Sequence, residues 1–236
     1  MAEQDSGEAA IPLTTEAAME AGRPPTPVLP GLWVFAPNRD SLGGTSWLLA
    51  PPGQAPLLID LPAYTAANLA ALRSAGDAAG TILLTSREGH GRCRRFQQAL
   101  GWPVRLQEQE AYLLPGVAGL VLFSEALDLG GGVRALWTPG TTPGACVIHA
   151  AGDLDLLFCG RLLVPTAPGE ARPLRTSRTF HWRRQQRSLE ALRDWLPPAS
   201  PRWIASGAGL GALQGEKLIA GGRALLDRLL DRQLED

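Results

Sequence analysis

Short apolar segments of β-strand length recur along this chain of 236 residues, and turn-forming residues separate them. In the first half of the chain they lie at residues 32–36, 46–50, 57–61 and 81–85. Gly-rich and Pro-rich turns join the first three, as in antiparallel hairpins. Before the fourth, residues 65–76 have the apolar spacing of a helix with Thr65 as its N-cap. The pattern predicts hairpin-linked strands that lead into a strand–helix–strand unit.

The second half of the chain repeats this order of strands and helices. After a loop at 86–91, a helix that ends at Gly101 leads to a short strand at 103–106. Further strands are predicted at 133–137, 145–150, 156–159 and 203–205, and further helices at 182–195 and about 212–232. Two β-rich halves, each closed by helices, predict an α/β protein of four layers. We expect an αββα sandwich of two mixed β-sheets and not a single doubly wound sheet.

Composition indicates the number of domains and the cellular compartment. With 45% hydrophobic residues the chain can bury one sizeable core, so a single domain is expected over residues 29–236. Residues 1–28 are small and polar and end in a proline-rich stretch, which predicts a flexible tail. The absence of a long apolar segment argues against a secretory signal and a membrane span. Three cysteines without metal-binding spacing are typical of reduced thiols, so a soluble cytoplasmic protein is expected.

Charge gives little support for binding to nucleic acid. The formal net charge is −1, which provides no general attraction for nucleic acid or an anionic membrane. Residues 172–187 are locally basic and include Phe180 and Trp182, a combination also found on nucleic-acid-binding surfaces. Because Glu190 and Asp194 follow in the same predicted helix, we interpret this segment as a solvated face. If the segment does bind a ligand, an acidic protein patch or a phosphate-bearing small molecule is expected, and nucleic acid is not.

Several segments between residues 30 and 232 stand in an order that resembles a known family. They are GGTSWLLAPPGQAPLLIDLP, TILLTSREGHGRCRRF, TPGTTPGACVIH, LLFCGRLLV and WIASGAGLG. The first is similar to the opening hairpin of the metallo-β-lactamase fold family, which ends in an aspartate, here Asp60. The others resemble that family's LTHxHxDH loop, its TPGHTPGS turn, its strand ending in GD and its PGHG turn. The resemblance, which extends to glyoxalase II-like hydrolases, implies the αββα fold.

In that family the matching loops coordinate one or two zinc or iron ions, and metal-bound water serves as the nucleophile. The positions that match the metal ligands hold Ser86, Glu88, His90, Gly91, Thr141, Arg161 and Ala208. If the loop is two residues longer, Arg92 and Cys93 replace His90 and Gly91. In neither register does the expected ligand stand at its position, although Glu88 offers a carboxylate. The resemblance therefore implies a degenerate member that lacks the usual metal ligands.

Arg161 stands where the family has its bridging aspartate. A guanidinium stays protonated and offers only hydrogen-bond donors, so Arg161 and a metal ion are expected to exclude each other. Two roles remain open for this cation. It pairs with Glu88 or Asp60 inside the cleft, or it binds a small anionic ligand through its planar fork.

An atypical metal site is the alternative. Glu88, His90 and Cys93 lie within six positions, and a loop that turned all three inward would bind one zinc, iron or manganese ion. The protein would then be a metallo-hydrolase acting on an ester, thioester or lactone. Against this site, His90 stands between glycines in a loop expected to be exposed, and Cys93 begins a predicted helix.

Nucleophilic catalysis has weaker support in the sequence. Neighbouring arginines and a helix start would lower the pKa of the Cys93 thiol and favour the thiolate. Ser86, Thr141 and Ser206 lie on loops expected to converge, but no GxSxG motif accompanies them. His149 is interpreted as a half-buried strand residue. We therefore predict no catalytic residue and no metal cofactor, and a binding or scaffold protein with a small anionic ligand or a protein partner.

Overall fold

Seven strands form the first β-sheet. The computed structural model describes residues 19–76 and 78–235 of the chain. The strands follow one another in space as they do in sequence: β1 (Thr26–Leu29), β2 (Leu32–Val34), β3 (Trp47–Leu49), β4 (Leu57–Ile59), β5 (Thr81–Leu83), β6 (Val104–Gln107) and β7 (Leu120–Phe123). Neighbours from β1 to β4 are antiparallel, and neighbours from β4 to β7 are parallel, so the sheet is mixed.

The later strands form a second mixed sheet and a separate hairpin. They are β8 (Ala126–Gly130), β9 (Val133–Trp137), β10 (Cys146–Ala150), β11 (Leu156–Phe158), β12 (Val164–Ala167), β13 (Glu170–Arg172), β14 (Trp203–Ala205) and β15 (Ile219–Ala220). The sheet order is β15-β14-β11-β10-β9-β8, while β12 and β13 pair only with each other. Strands β11 and β14 are parallel, and the other neighbours in this sheet are antiparallel.

The α-helices of the described residues cover the two sheets. They are α1 (Ala66–Arg73), α2 (Cys93–Leu100), α3 (Trp182–Trp195) and α4 (Gly222–Glu235). Helix α1 begins where the Thr65 side chain accepts a hydrogen bond from the Asn68 amide, and α2 ends at Gly101, which has a φ of 68°. The Thr65 N-cap and the Gly101 C-cap both stand where the sequence predicted them. Within the described residues, no helix has the length and apolar character needed to cross a membrane.

Buried apolar side chains form three clusters that define four layers. Between the sheets, Trp47 of β3 packs edge to face on Phe158 of β11, with ring centroids 6.1 Å apart. A second cluster, which includes Phe96, joins the first sheet to α1 and α2. A third cluster, which includes Leu189 and Leu226, joins the second sheet to α3 and α4. Helices thus lie outside both sheets, and the predicted αββα sandwich is confirmed.

The ends of the chain differ from the prediction. Strand β1 begins at Thr26, and the backbone oxygens of Glu20 and Ala21 accept hydrogen bonds from the first turn of α1. The part of the predicted tail from residue 19 therefore packs on the domain, while residues 1–18 lie outside the described residues. The last helix begins at Gly222 and not near 212, because a 3₁₀ turn and strand β15 occupy the intervening segment.

Hydrogen bonds tie the sheets together at one end of the sandwich. The indole Nε1 of Trp47 donates to the backbone oxygen of Ser206 at 3.0 Å. The amide of Cys146 donates to the backbone oxygen of Thr85 at 2.8 Å. At this end the loops that follow β4, β5, β11 and β14 come together, and they carry the side chains of the candidate site.

Candidate functional site

The converging loops enclose a small cleft. Its walls come from residues 41, 44–45, 60, 86, 88–89, 161 and 207, and the space between them admits essentially no water-sized sphere. Three positions with a metal-ligand match in the resembled family, Ser86, Glu88 and Arg161, meet here. The convergence expected from sequence thus brings these residues into one cleft, although it brings together a cation and not a set of metal ligands.

Arg161 is held by protein acceptors from two other loops. Its Nε lies 2.9 Å from Oε2 of Glu88, and its Nη2 donates to the backbone oxygen of Ser41 at 2.6 Å. The side chains of Arg161 and Glu88 are 22% and 14% exposed, so the ion pair is largely withdrawn from water. Of the two roles left open by the sequence, the geometry therefore favours internal pairing with Glu88 over capture of a small anion.

Asp60 joins the ends of two neighbouring strands. Its Oδ1 accepts the Thr85 amide at 2.7 Å, and its Oδ2 accepts the Thr85 hydroxyl at 2.6 Å. Burial raises the pKa of Asp60 from 3.8 to about 6, although the hydrogen bonds from Thr85 and the positive charge of Arg161 oppose this rise. Both carboxylate oxygens are thus committed to the loop after β5. Asp60 positions this loop and does not pair directly with Arg161.

Gly89 allows the loop after β5 to approach Asp60. A Cβ atom on Gly89 would overlap Oδ1 of Asp60. Replacement of Gly89 by alanine is therefore expected to separate Asp60 from Thr85 and to lower the free energy of unfolding by about 2–3 kcal/mol. Chemical denaturation would measure this loss. Gly211→Ala is the matched control, because a Cβ there meets no atom within 4 Å. Equal stability of the two variants would contradict this account of the loop.

His90 and Cys93 differ from the sequence interpretation. His90 is buried, and burial together with the nearby Arg87 charge lowers its pKa from 6.5 to about 4, so the imidazole is neutral near pH 7. Cys93 begins α2 as predicted, but it is only 2% exposed, and burial raises the pKa of its thiol to about 12. The expected exposed loop and reactive thiolate are therefore both wrong. Burial outweighs the arginines that lie close in sequence.

The remaining matched positions serve in backbone contacts. The Thr141 carbonyl accepts the amide of Phe180 at 3.1 Å, and the Ala208 carbonyl accepts the Thr45 hydroxyl at 2.8 Å. Ser86 accepts its hydrogen bond from the Glu88 amide and caps a 3₁₀ turn. Ser206 is buried and donates to the Leu163 carbonyl at 2.9 Å. None of these hydroxyls has a histidine base among its hydrogen-bond partners in the described residues, so the loops do not form a nucleophilic site.

The donors near the cleft do not fit a metal ion. Among residues 19–76 and 78–235, no group of three or more His, Cys, Asp or Glu side chains is arranged to hold one. Glu88 is paired with Arg161, His90 is buried with its Nε2 lacking a hydrogen-bond partner, and Cys93 belongs to the core beneath α2. The alternative ligand set of Glu88, His90 and Cys93 is therefore not assembled. A permanent guanidinium beside Glu88 adds charge repulsion against a divalent cation.

Glu110 is a site residue that sequence reasoning missed. It is 2% exposed, and its Oε1 accepts the amide of Gly144 at 3.0 Å, which anchors the turn that contains Thr141. Its negative charge also contributes to the raised pKa of Asp60. The sequence did not indicate the burial of Glu110, because this residue lies in the polar stretch QEQEAY, whose composition is typical of an exposed surface.

His149 lies apart from the cleft and has a structural contact. It is 1% exposed, more deeply buried than predicted, and its Nε2 lies 2.9 Å from Oδ1 of Asp155. Desolvation raises the pKa of Asp155, but hydrogen bonds from His149, Ser200 and the Arg202 amide together outweigh it, so the pKa is lowered. The pair fixes the turn between β10 and β11.

Solved structures of metallo-β-lactamases share this architecture. The metallo-β-lactamase DIM-1 exposed to ceftazidime aligns with a TM-score of 0.65 at 14% identity, over 92% of this chain and 99% of that chain. A metallo-β-lactamase family protein from Thermus thermophilus aligns with a TM-score of 0.59 at 22% identity, over 88% of this chain and 80% of that chain. An archaeal metallo-β-lactamase superfamily protein from Sulfolobus tokodaii aligns with a TM-score of 0.57 at 16% identity, over 87% of both chains. At these identities the likeness establishes the fold alone.

Comparison at the level of sequence gives a different result. No protein-family model matches the chain, and no curated protein matches it significantly. The side chains of the cleft have therefore to be interpreted from their own contacts.

Proposed function

We propose that this chain, which has the metallo-β-lactamase fold, is a metal-independent protein with a binding or scaffold role and without hydrolytic activity. The observation that carries the proposal is the ion pair between Arg161 and Glu88, at 2.9 Å, inside the cleft. The pair supports the proposal because a protein cation and its counter-charge stand at two positions that match the metal ligands of the resembled family, and neither leaves a donor free for a metal ion and its bound water.

Arg161 also supplies the connection between loops that a metal ion would provide. From the loop after β11 it reaches Glu88 after β5 and the Ser41 carbonyl between β2 and β3. Loops of both sheets are thereby joined without an added component. This arrangement supports a cleft that retains its shape but has lost the chemistry of the metal centre.

The size of the cleft favours a protein partner over a small-molecule substrate. Sites for drug-sized molecules typically enclose roughly 300–1,000 Å³. The cleft has essentially no volume that a water-sized sphere could occupy, and Arg161 and Glu88 form part of its walls. A partner that contacts the outer surface of the loops fits this geometry better than a molecule enclosed by them.

Metal analysis and activity assays test the proposal together. The purified chain is incubated with zinc, iron(II) or manganese, dialysed and analysed for metal, and its thermal unfolding is measured with and without a chelator. We expect well below one equivalent of bound metal, a midpoint that the chelator leaves unchanged, and no turnover of ester, thioester or lactone substrates. Stoichiometric metal that is lost on Glu88→Ala substitution would instead establish the atypical hydrolase.

A variant with restored ligands provides the positive control. In Ser86→His/Glu88→His/Thr141→His/Arg161→Asp, donor types suited to zinc replace the present side chains at the matched positions. We expect this variant to retain zinc under the conditions in which the natural chain does not. That contrast would attribute the lack of metal to the side chains of the cleft.

A further inference from the structure

Six arginines form a basic surface next to the cleft. The basic surface consists of Arg172, Arg175, Arg178, Arg183, Arg184 and Arg187. All six are exposed, and none forms an ion pair with a carboxylate of the described residues. Of the 22 basic residues, the other 16 (22 less these six) stand against 23 acidic residues in the rest of the chain. Positive charge is thus concentrated in one exposed segment, residues 172–187, of a chain that is otherwise acidic.

Hydrogen bonds fix this surface at the end of the sandwich where the cleft opens. The amide of Phe180 donates to the Thr141 carbonyl at 3.1 Å, and the amide of His181 donates to the Gly140 carbonyl at 2.9 Å. The Gln185 side chain donates to the carbonyl of Leu162, the residue after Arg161. The arginines that flank these contacts are therefore held beside the loops of the cleft.

The basic surface is electrostatically unfavourable without an anionic partner. Arg183 and Arg184 lie in the first turn of α3, which contains no acidic residue. A cation near the positive end of a helix costs about 0.3–1 kcal/mol, and like charges on neighbouring arginines add to this cost. Phe180, which is 49% exposed, adds an apolar contact point between the arginines. The carboxylates of an acidic partner would compensate the arginine charges, and an apolar side chain of that partner would cover Phe180.

We propose that the acidic N-terminal segment of this chain, residues 1–18, docks on the basic surface. The segment carries Glu3, Asp5, Glu8 and Glu16, and residues 1–22 contain no lysine or arginine. It also contains the apolar sequence Ile11-Pro12-Leu13, which provides a contact for Phe180. Carboxylates match the planar fork of arginine, so the charge pattern and the apolar residue complement the basic surface.

The segment starts from a suitable place on the domain. The carbonyl of Glu20 accepts a hydrogen bond from Ala66 at the start of α1, directly after the loop that brings Asp60 into the cleft. Eighteen extended residues span up to roughly 60 Å. A domain of this size has a radius of gyration of about 17 Å, so the segment is long enough to cross the cleft end of the molecule.

Attachment to the same chain gives this occupant an advantage. Covalent attachment through a short stretch of chain raises its effective concentration to the order of millimolar, so a separate acidic peptide must compete against it. Nucleic acid is a poorer match, because Phe180 is the one exposed phenyl or indole side chain between Arg172 and Arg187 and the remainder of the chain is acidic. A nucleic-acid strand longer than the basic surface would be repelled by the acidic residues outside it.

Paramagnetic relaxation in the full chain tests the docking. A spin label is attached to Ala10→Cys, where it reacts selectively because Cys93, Cys146 and Cys159 are buried. We expect the label to broaden the backbone amide resonances of residues 175–187 at low salt. The broadening should disappear at roughly 0.5 M salt, which shortens the Debye length to about 4 Å. Broadening confined to residues near α1, or spread evenly over the domain, would overturn the proposal.

Charge variants identify the contact. Arg175→Gln/Arg178→Gln/Arg183→Gln should abolish the broadening, as should neutralisation of the acidic segment by Glu3→Gln/Asp5→Asn/Glu8→Gln/Glu16→Gln. Arg73→Gln/Arg94→Gln/Arg95→Gln removes the same charge from the opposite outer layer and should leave the broadening intact. Persistence in either of the first two variants contradicts the proposal.

Competition distinguishes the possible occupants. A synthetic peptide of residues 1–18 should displace the label, and a single-stranded oligonucleotide of equal charge should do so only at higher concentration. The reverse order would assign the surface to nucleic acid and overturn the proposal. Because no metal or catalytic step enters this experiment, its failure would leave the metal-independent function untouched.

Discussion

Arg161→Ala should lower the free energy of unfolding by about 3 kcal/mol, because it leaves Glu88 without its counter-charge in a largely buried cleft and frees the Ser41 carbonyl. For a domain of this length, that loss corresponds to a fall in the unfolding midpoint of about 6–12 °C. Denaturant titration and calorimetry measure it. The matched control is Arg92→Ala, whose partner Asp40 is exposed and whose loss should cost less than about 1 kcal/mol.

A double variant separates the ion pair from simple packing. Arg161→Met/Glu88→Leu removes both charges and keeps apolar volume, so it should recover most of the stability lost in Arg161→Ala. Stability of Arg161→Ala equal to that of the natural chain would show that the guanidinium does not hold the loops together. A double variant no more stable than Arg161→Ala would show that its contacts, and not its charge, matter.

The free energy of unfolding should change little between pH 4 and 6.5 in the natural chain, and it should change strongly with pH in two single variants. The folded-state pKa of Asp60 is about 6, above its ordinary 3.8, so its favourable contribution is present below 3.8 and is lost as pH rises through 6. The folded-state pKa of His90 is about 4, below its ordinary 6.5, so its contribution is present above 6.5 and is lost as pH falls through 4. Each change amounts to about 3 kcal/mol, and their signs are opposite.

Single substitutions should reveal the pH dependence that Asp60 and His90 each give to the free energy of unfolding. Asp60→Asn keeps both contacts with Thr85 feasible and removes the titration, so its stability should fall by about 3 kcal/mol from pH 6.5 to 4. His90→Phe should show the opposite slope, with stability rising as the pH falls from 6.5 to 4. Urea titrations across this range measure both slopes. Asp60→Asn/His90→Phe should again be flat, and a slope in neither single variant would contradict the assigned burial.

The central strands were predictable because their apolar residues face the core on both sides. Strand β10 is buried along its whole length, and its sequence CVIHA is typical of a strand even without knowledge of its neighbours. The edge strands gave weaker signals. Pro27 interrupts β1, Val121 and Leu122 of β7 are exposed, and β15 has only two residues. These strands depend on pairing with a neighbour, which local sequence does not encode.

The site was predictable in its outline and not in its burial. Pairing of Arg161 with Glu88 or Asp60 was one of two roles expected from its charge, once the family resemblance had put these residues in one cleft. The burial of His90 was not derivable, because it depends on the Gly89 carbonyl accepting the Leu61 amide at 3.1 Å, which draws the loop onto the first sheet. The expected reactive thiolate at Cys93 was wrong for a related reason. Its neighbours Arg94 and Arg95 point to solvent on α2, while Cys93 itself faces the core.

The position of Arg161 has a consequence for redesign of the cleft. Arg161→Asp alone would place a third acidic side chain beside Glu88 and Asp60 in a small space, and it would remove the positive charge that pairs with Glu88. Any route that introduces metal ligands one at a time would carry this repulsion until the histidines were also in place. Arg161 therefore acts as a barrier to stepwise conversion of this cleft, and new ligands have to be introduced together.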